Sequence, residues 1–178
     1  LKHDLSSLRL LGTVGEGNSL EPDEKRRMIQ ATVEAASGRV PVIVGVSELT
    51  TPRGAALARD AEERGASGLM VLPAMVYVPS EEELVTHFRT IADASALPIM
   101  LYNNPFTSNV DMKPHLIARL TKSFEQIRYI KEASQDVARV FEIVNATNGV
   151  MNVFAGQQIV ESFLLGAVGY VNPFGNYI

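Results

Sequence analysis

The sequence predicts an α/β protein of the (β/α)8 barrel type, incomplete in this chain, and three observations carry that prediction. Short runs rich in Val, Ile, Leu and Met recur along the chain, each with the character of a strand buried on both faces. Amphipathic helical patterns separate most of them, which is βαβ order. The runs start about 30 residues apart over most of the chain, the repeat of one (β/α) unit in a barrel. A doubly wound open sheet has similar spacing. However, there is no G-x-G-x-x-G turn, and polar residues follow several different strands rather than lining one crevice.

Seven strand runs are present, where a closed barrel needs eight: Leu8–Leu11, Val40–Val46, Gly68–Leu72, Pro98–Tyr102, Ile127–Lys131, Met151–Ala155 and Ala167–Val171. The amphipathic stretch Leu1–Ser7 reads as a cut-down helix ahead of the first of them. Asn172–Ile178 offer no closing helix, so residues 1–178 are expected to form one barrel domain truncated at both ends. Helix starts are marked at Pro22-Asp23-Glu24, at Thr51-Pro52, at Ser80 with Glu83 three residues on, and at Ser134-Gln135-Asp136. Helical stripes follow as Leu84, Phe88 and Ile91, with His87 beside the core, as Met112, Leu116, Ile117 and Leu120, and as Val137, Val140, Phe141 and Val144.

Composition excludes several functions. The 46% hydrophobic content suits one sizeable core. A net charge of −4 with scattered lysines and arginines gives no basic field for nucleic acid. The absence of cysteine excludes disulfides, thiolate metal sites and cysteine nucleophiles. His3, His87 and His115 are too far apart in sequence to form a close metal-ligand pair, so no metal is expected. No apolar stretch approaches the roughly 20 residues that span a bilayer, and the start lacks a signal-peptide pattern, so a cytoplasmic protein is expected.

The candidate chemistry lies where strands give way to loops. Lys131 ends the run Ile127–Ile130, where burial would favour a neutral, nucleophilic amine. The bland alternative is a lysine whose stem packs while its ammonium reaches water. Tyr102 ends the run Pro98–Leu101, and in a parallel barrel the two strand ends share the face on which active sites are built. Gly12-Thr13-Val14-Gly15-Glu16-Gly17-Asn18-Ser19, between a strand and a helix, has three glycines that would let the backbone turn sharply and expose N–H groups able to hold an anion. It lacks the Gly-Lys-Ser/Thr ending of a nucleotide loop, which favours a carboxylate guest, and a plain βα connection is the competing reading. Amine, phenol and turn together could supply a Schiff base, a proton shuttle with Thr13 as relay, and a carboxylate grip. A barrel using Glu16 or Glu48 as a general base without covalent catalysis remains open at this level.

Gly-Thr-Val-Gly-Glu at 12–16, Tyr-Asn-Asn-Pro at 102–105 and Tyr-Ile-Lys-Glu-Ala-Ser at 129–134 resemble, in order and spacing, the dihydrodipicolinate synthase/N-acetylneuraminate lyase family. The resemblance implies a (β/α)8 barrel with a first strand and C-terminal helices beyond this chain, and a class I aldolase mechanism needing no metal or organic cofactor. It implies that Lys131 forms an imine with a 2-oxo acid, that Tyr102 moves protons, and that Thr13 passes a proton and grips the substrate carboxylate with the Val14 N–H. Gly156 matches a glycine lining the pocket, and Val171 matches a residue whose carbonyl lies near the imine. The implied assembly is a homotetramer built as a dimer of dimers.

The chain departs from the lysine-biosynthetic members at three places. Val14 replaces a second threonine of the turn, Tyr77 is out of register for a second relay tyrosine, and Thr107 stands where an arginine binds the carboxylate of aspartate semialdehyde. A threonine cannot form a bidentate charged clamp. The expectation is therefore a relative acting on another 2-oxo acid, such as a 2-keto-3-deoxy sugar acid aldolase or dehydratase. A hydroxypyrroline-carboxylate deaminase and a non-catalytic 2-oxo acid binding protein are the alternatives.

Overall fold

The structure is a computed structural model that describes residues 6–73 and 76–171. All seven expected runs form strands: β1 (Leu8–Leu10), β2 (Val42–Val46), β3 (Gly68–Val71), β4 (Ile99–Asn103), β5 (Ile127–Glu132), β6 (Asn152–Ala155) and β7 (Gly169–Tyr170). They make one curled parallel sheet in sequential order, β1 to β7. That order settles the choice left open by spacing, because a doubly wound sheet reverses direction at a switch point and this one does not. Helices α1 (Pro22–Ala36), α2 (Thr51–Glu63), α3 (Glu81–Ala92), α4 (Pro105–Ser108), α5 (Pro114–Ser123), α6 (Ala138–Ala146) and α7 (Ile159–Leu164) connect the strands. Among the described residues no helix is long and apolar enough to cross a membrane.

Strand alternation divides the apolar residues into two cores. Val42, Val44, Leu69, Val71, Ile99, Leu101, Ile127 and Ile130 join the larger core with the inner stripes of the helices. Met70, Leu72, Met100, Tyr102 and Ala133 form a second cluster with Ile43 and Phe154, on the face that lines a barrel interior. The helices earn their places by the same logic. In α3, Leu84, Phe88 and Ile91 are buried, and His87 is buried with them at 2% exposure, one step beyond the expected position beside the core.

Local signals set most helix starts. Ser80 and Glu83 form the expected capping box, with the Ser80 N–H donating to Glu83 Oε2 at 2.7 Å and the Glu83 N–H donating to Ser80 Oγ at 3.3 Å. At α1 the cap is Glu21, one residue ahead of Pro22, with its N–H donating to Glu24 at 2.9 Å. The expected start at Ser134–Asp136 is corrected: α6 begins at Ala138. The reason is local, since Gln135 takes a φ of 66° and Asp136 Oδ1 accepts from the Ala138 N–H at 3.1 Å, making a turn before the helix. Of the cut-down helix expected over 1–7, residues 1–5 lie outside the described residues, and Ser6–Ser7 are not helical. The expectation for 172–178 also lies outside them.

β5 carries one irregularity that matters for the site. Ile99 pairs with Ile127 but Met100 pairs with Tyr129, so Arg128 is an extra residue in the strand. The slip flips the side chains that follow, which puts Ile130 with Ile127 in the outer core and turns Tyr129 and Lys131 toward the interior. The bulged residue is held on both sides. Arg128 Nη1 donates to the carbonyls of Thr121 and Phe124, both at 3.0 Å, closing the end of α5, and the Arg128 carbonyl accepts from Asn152 Nδ2 at 3.1 Å.

Candidate active site

The carboxyl ends of β1, β4 and β5 bring the expected residues to one end of the sheet. Tyr102 and Lys131 are register partners on adjacent strands. Lys131 Nζ lies 4.2 Å from the centroid of the Tyr102 ring, so amine and phenol are in contact. Tyr102 is buried at 7% exposure, whereas Lys131 is half-buried. Asn104 Nδ2 donates to Tyr102 Oη at 2.9 Å, which leaves the phenolic hydrogen free for another acceptor. Thr13, Gly12, Met70, Leu72 and Tyr102 line a common cleft, so the turn after β1 adjoins the phenol.

The turn is built differently from its sequence reading. The sharp backbone positions are Leu11 (φ 56°) and Glu16 (φ 52°), not the glycines. Glycine is used instead for close approach. A Cβ on Gly45 of β2 would stand 2.6 Å from the Leu11 carbonyl oxygen and 2.9 Å from the Gly12 nitrogen, and one on Gly17 would collide with the same Leu11 carbonyl. Leu11, itself 3% exposed, is thus seated between two glycines and carries Thr13 and Val14 outward. Gly45 was not singled out by sequence, although a lone glycine inside a Val/Ile strand is the ordinary sign of a close backbone contact. Gly45→Ala is expected to cost about 1–3 kcal/mol, because the obstructing atoms are backbone and cannot swing aside. Urea unfolding measures it, and an unchanged midpoint would show that the turn shifts freely.

The other expected residues fall as follows. Gly156 sits where a Cβ would lie 2.7 Å from Ala133 Cβ and 2.8 Å from the Glu132 carbonyl oxygen, so β6 can close on β5 only with glycine there. Val171 is buried, and its N–H donates to the Ala155 carbonyl at 3.0 Å. Thr107 is exposed on α4, and Tyr77 is 85% exposed. Val14 is half exposed. Glu48 is committed elsewhere, paired with Lys25 of α1 in a groove bounded by α1 and α2. That removes it as a free general base at the Tyr102 cleft.

Behind the pair, on the outer face, a polar cluster joins the buried Asn103, Glu132 and Arg139 to the partly exposed Asp111. Burial pushes the Glu132 carboxyl above the usual range, and hydrogen bonds from Ser134 and Asn103 offset only part of that. Burial also opposes charge on Asp111, but hydrogen bonds from Arg139, Lys113 and Asn103 outweigh it and hold its carboxyl down at about 2. Sequence reasoning did not pick out this cluster. Its available signal was an amide and a carboxylate standing next to Tyr102 and Lys131, each at the end of a buried strand.

The sheet is parallel and sequentially ordered, and the amine and the phenol stand at its carboxyl ends, the face on which barrel folds build their sites. The chain belongs to the dihydrodipicolinate synthetase family, whose pattern matches residues 1–178, and members of that family are lyases. It is 33% identical over 171 residues to the 4-hydroxy-tetrahydrodipicolinate synthase of Persephonella marina, covering 95% of this chain and 58% of that protein. Among solved structures it resembles the 4-hydroxy-tetrahydrodipicolinate synthase of Methylacidiphilum fumariolicum SolV, with a TM-score of 0.94 and 30% identity over 98% of this chain and 59% of that one. It also resembles YagE of E. coli K12, a prophage protein of the dihydrodipicolinic acid synthase family solved with pyruvate, with a TM-score of 0.93 and 28% identity over 98% and 60% of the two chains. The chain therefore spans about three fifths of the length of these relatives.

Proposed function

We propose that this chain is the catalytic part of a lyase that acts on a 2-oxo acid through an imine at Lys131. The observation that carries the reading is the Lys131 amine lying over the Tyr102 ring at the strand ends, beside the Thr13 turn. In this mechanism the neutral amine attacks the substrate's C2 carbonyl, and Tyr102 gives a proton to the departing water of the carbinolamine. The protonated imine then accepts the electron pair released when a C–C or C–H bond at the neighbouring carbon breaks, and in a dehydration the resulting enamine expels the hydroxyl from the next carbon along. Thr13 Oγ1 and the Val14 N–H hold the carboxylate. Pyruvate, bound in the structure of the related YagE, is the smallest substrate with these groups.

The reaction partner is proposed to differ from aspartate semialdehyde. Val14 offers no second hydroxyl to the carboxylate, and Thr107 supplies no charged fork. Relatives named 4-hydroxy-tetrahydrodipicolinate synthase make that condensation the alternative to measure against. A keto-deoxy sugar acid aldolase or dehydratase is the favoured class, followed by a hydroxypyrroline-carboxylate deaminase. The expected assembly is a tetramer of the family's kind, acting in the cytoplasm without metal or organic cofactor.

Borohydride added with pyruvate is expected to fix a covalent adduct on the peptide that contains Lys131, read by mass spectrometry. In D2O the protein should also exchange the methyl protons of pyruvate. Reversible binding without exchange or adduct would instead establish a non-catalytic binding protein. A panel of keto-deoxy sugar acids, hydroxypyrroline carboxylate, and pyruvate with aspartate semialdehyde then separates the reactions, and brisk condensation with the last would overturn the partner assignment.

A further inference from the structure

The register pair that follows Tyr102 and Lys131 is Asn103 and Glu132, one residue further along the same two strands. Alternation sends these side chains to the opposite face of the sheet, against α5 and α6. Asn103 is fully buried, and Glu132 and Arg139 are 5% and 6% exposed. Asn103 Nδ2 donates to Glu132 Oε2 at 3.0 Å and to Asp111 Oδ1 at 3.3 Å, while Asn103 Oδ1 accepts from the Met112 N–H at 2.9 Å. Both amide hydrogens and the carbonyl oxygen of Asn103 are thus used. Glu132 Oε1 accepts from the Ser134 N–H at 2.7 Å, and Arg139 Nη1 of α6 donates to Asp111 Oδ1 at 2.8 Å.

We infer that Asn103 and Glu132 are positioning residues for the amine and phenol, forming an amide–carboxylate clamp on the outer face that sets the spacing of Tyr102 and Lys131 on the inner face. The inference rests on the reading of Lys131 as the imine-forming residue. Two observations support it. After the bulge at Arg128 the two strands pair regularly only from Met100–Tyr129 to Asn103–Glu132, so the side-chain bond at the last of these pairs bears directly on how the adjoining Tyr102 and Lys131 are held. The clamp joins the two strands immediately beyond the reactive pair. It also ties the segment after β5 through Ser134 and the segment after α4 through Met112, which are the loops flanking the site. A long lysine side chain reaches a reacting carbon reproducibly only if its Cα–Cβ direction is held. Displacement by about 1 Å is enough to slow such a step by up to about 100-fold.

The test compares the full chain with Glu132→Gln, with Asn103→Asp, and with the two combined. In Glu132→Gln the carboxamide faces donors on both sides, so one hydrogen bond is lost. Stopped-flow imine formation with pyruvate is expected to slow by at least about tenfold, while KM for pyruvate changes less than about twofold, because the carboxylate grip lies across the site at Thr13. Adding Asn103→Asp re-forms the bond to the new carboxamide with donor and acceptor reversed, at the cost of a carboxylate facing Asp111, and is expected to recover only part of the rate. An unchanged imine rate in folded Glu132→Gln overturns the inference, and so does a fall in rate that only tracks lost stability without rescue. Should Glu132→Gln not fold, Asp111→Asn at the more exposed end of the cluster carries the same test: slower imine formation at constant KM supports the clamp, and an unaltered rate overturns it. If the unsubstituted chain forms no imine at all, the Lys131 reading fails first, which is a different result.

Discussion

Lys131→Ala is expected to lower turnover by at least about 1,000-fold and to abolish the borohydride-fixed adduct, the scale on which deletion of a covalent nucleophile is felt. The contrast that gives this result meaning is Lys131→Arg. The Lys131 ammonium can hold a cation–π contact with the Tyr102 ring at 4.2 Å, and an arginine preserves that contact while offering no nucleophilic nitrogen. If the lysine served only to pack and to hold the ring, the arginine variant would keep most of the activity. If it forms the imine, both variants are inactive, yet the arginine variant stays close to wild-type stability. Lys25, the most enclosed other lysine among the described residues, is paired with Glu48 in the groove bounded by α1 and α2. An adduct persisting in Lys131→Arg and mapping to another lysine would move the chemistry off the β4–β5 ends and refute the assignment.

The strands were legible because burial on both faces demands continuous apolar runs, and the helices because their inner stripes repeat with the helical period. That much of the fold depends on patterns a few residues long. The bulge at Arg128 depends on how β5 sits against β4, and neither Gly nor Pro marks it, so a reader of the sequence would place Ile127, Tyr129 and Lys131 on one face. The pairing in space instead separates Ile127 from Lys131 and delivers the amine to the phenol. The glycine-rich turn after β1 shows the same limit. Its glycines suggested flexible φ angles, whereas Leu11 and Glu16 take the left-handed conformation and the glycines provide room. Close approach from Gly45, more than 30 residues away, is a tertiary fact. The Asn103–Glu132 bond was hidden for a related reason: polar residues at strand ends usually face solvent, and only packing of α5 and α6 over the sheet buries these two.

Lowering the pH from 7 to 4 is expected to cost this fold about 3 kcal/mol through His87 alone, with about 2 kcal/mol lost by pH 5. His87 is enclosed in α3, in contact with Thr51 of α2, whose Oγ1 lies 2.9 Å from Nδ1, while Nε2 is buried with no hydrogen-bond partner among the described residues. Burial lowers its pKa to about 4 from 6.5. Above 6.5 the ring is neutral in both the folded and the unfolded chain and contributes no pH dependence. As the pH falls below 6.5 the unfolded chain binds a proton that the folded one refuses, so stability drops until the folded pKa near 4 is reached and then levels off. Asp111, held down at about 2, withdraws its own contribution only below its unfolded value of 3.8, which is under this window. Glu132, raised by burial, acts in the opposite sense, since protonating it relieves the folded state. His87→Asn isolates the histidine: it keeps a polar partner for Thr51, loses some packing at every pH, and cannot titrate. Urea unfolding at pH 7, 5 and 4 should show wild type losing stability relative to the variant by the stated amounts. Parallel profiles for the two proteins would mean that the ring charges in place. The seam between α2 and α3 would then have to admit water to a side chain that is 2% exposed.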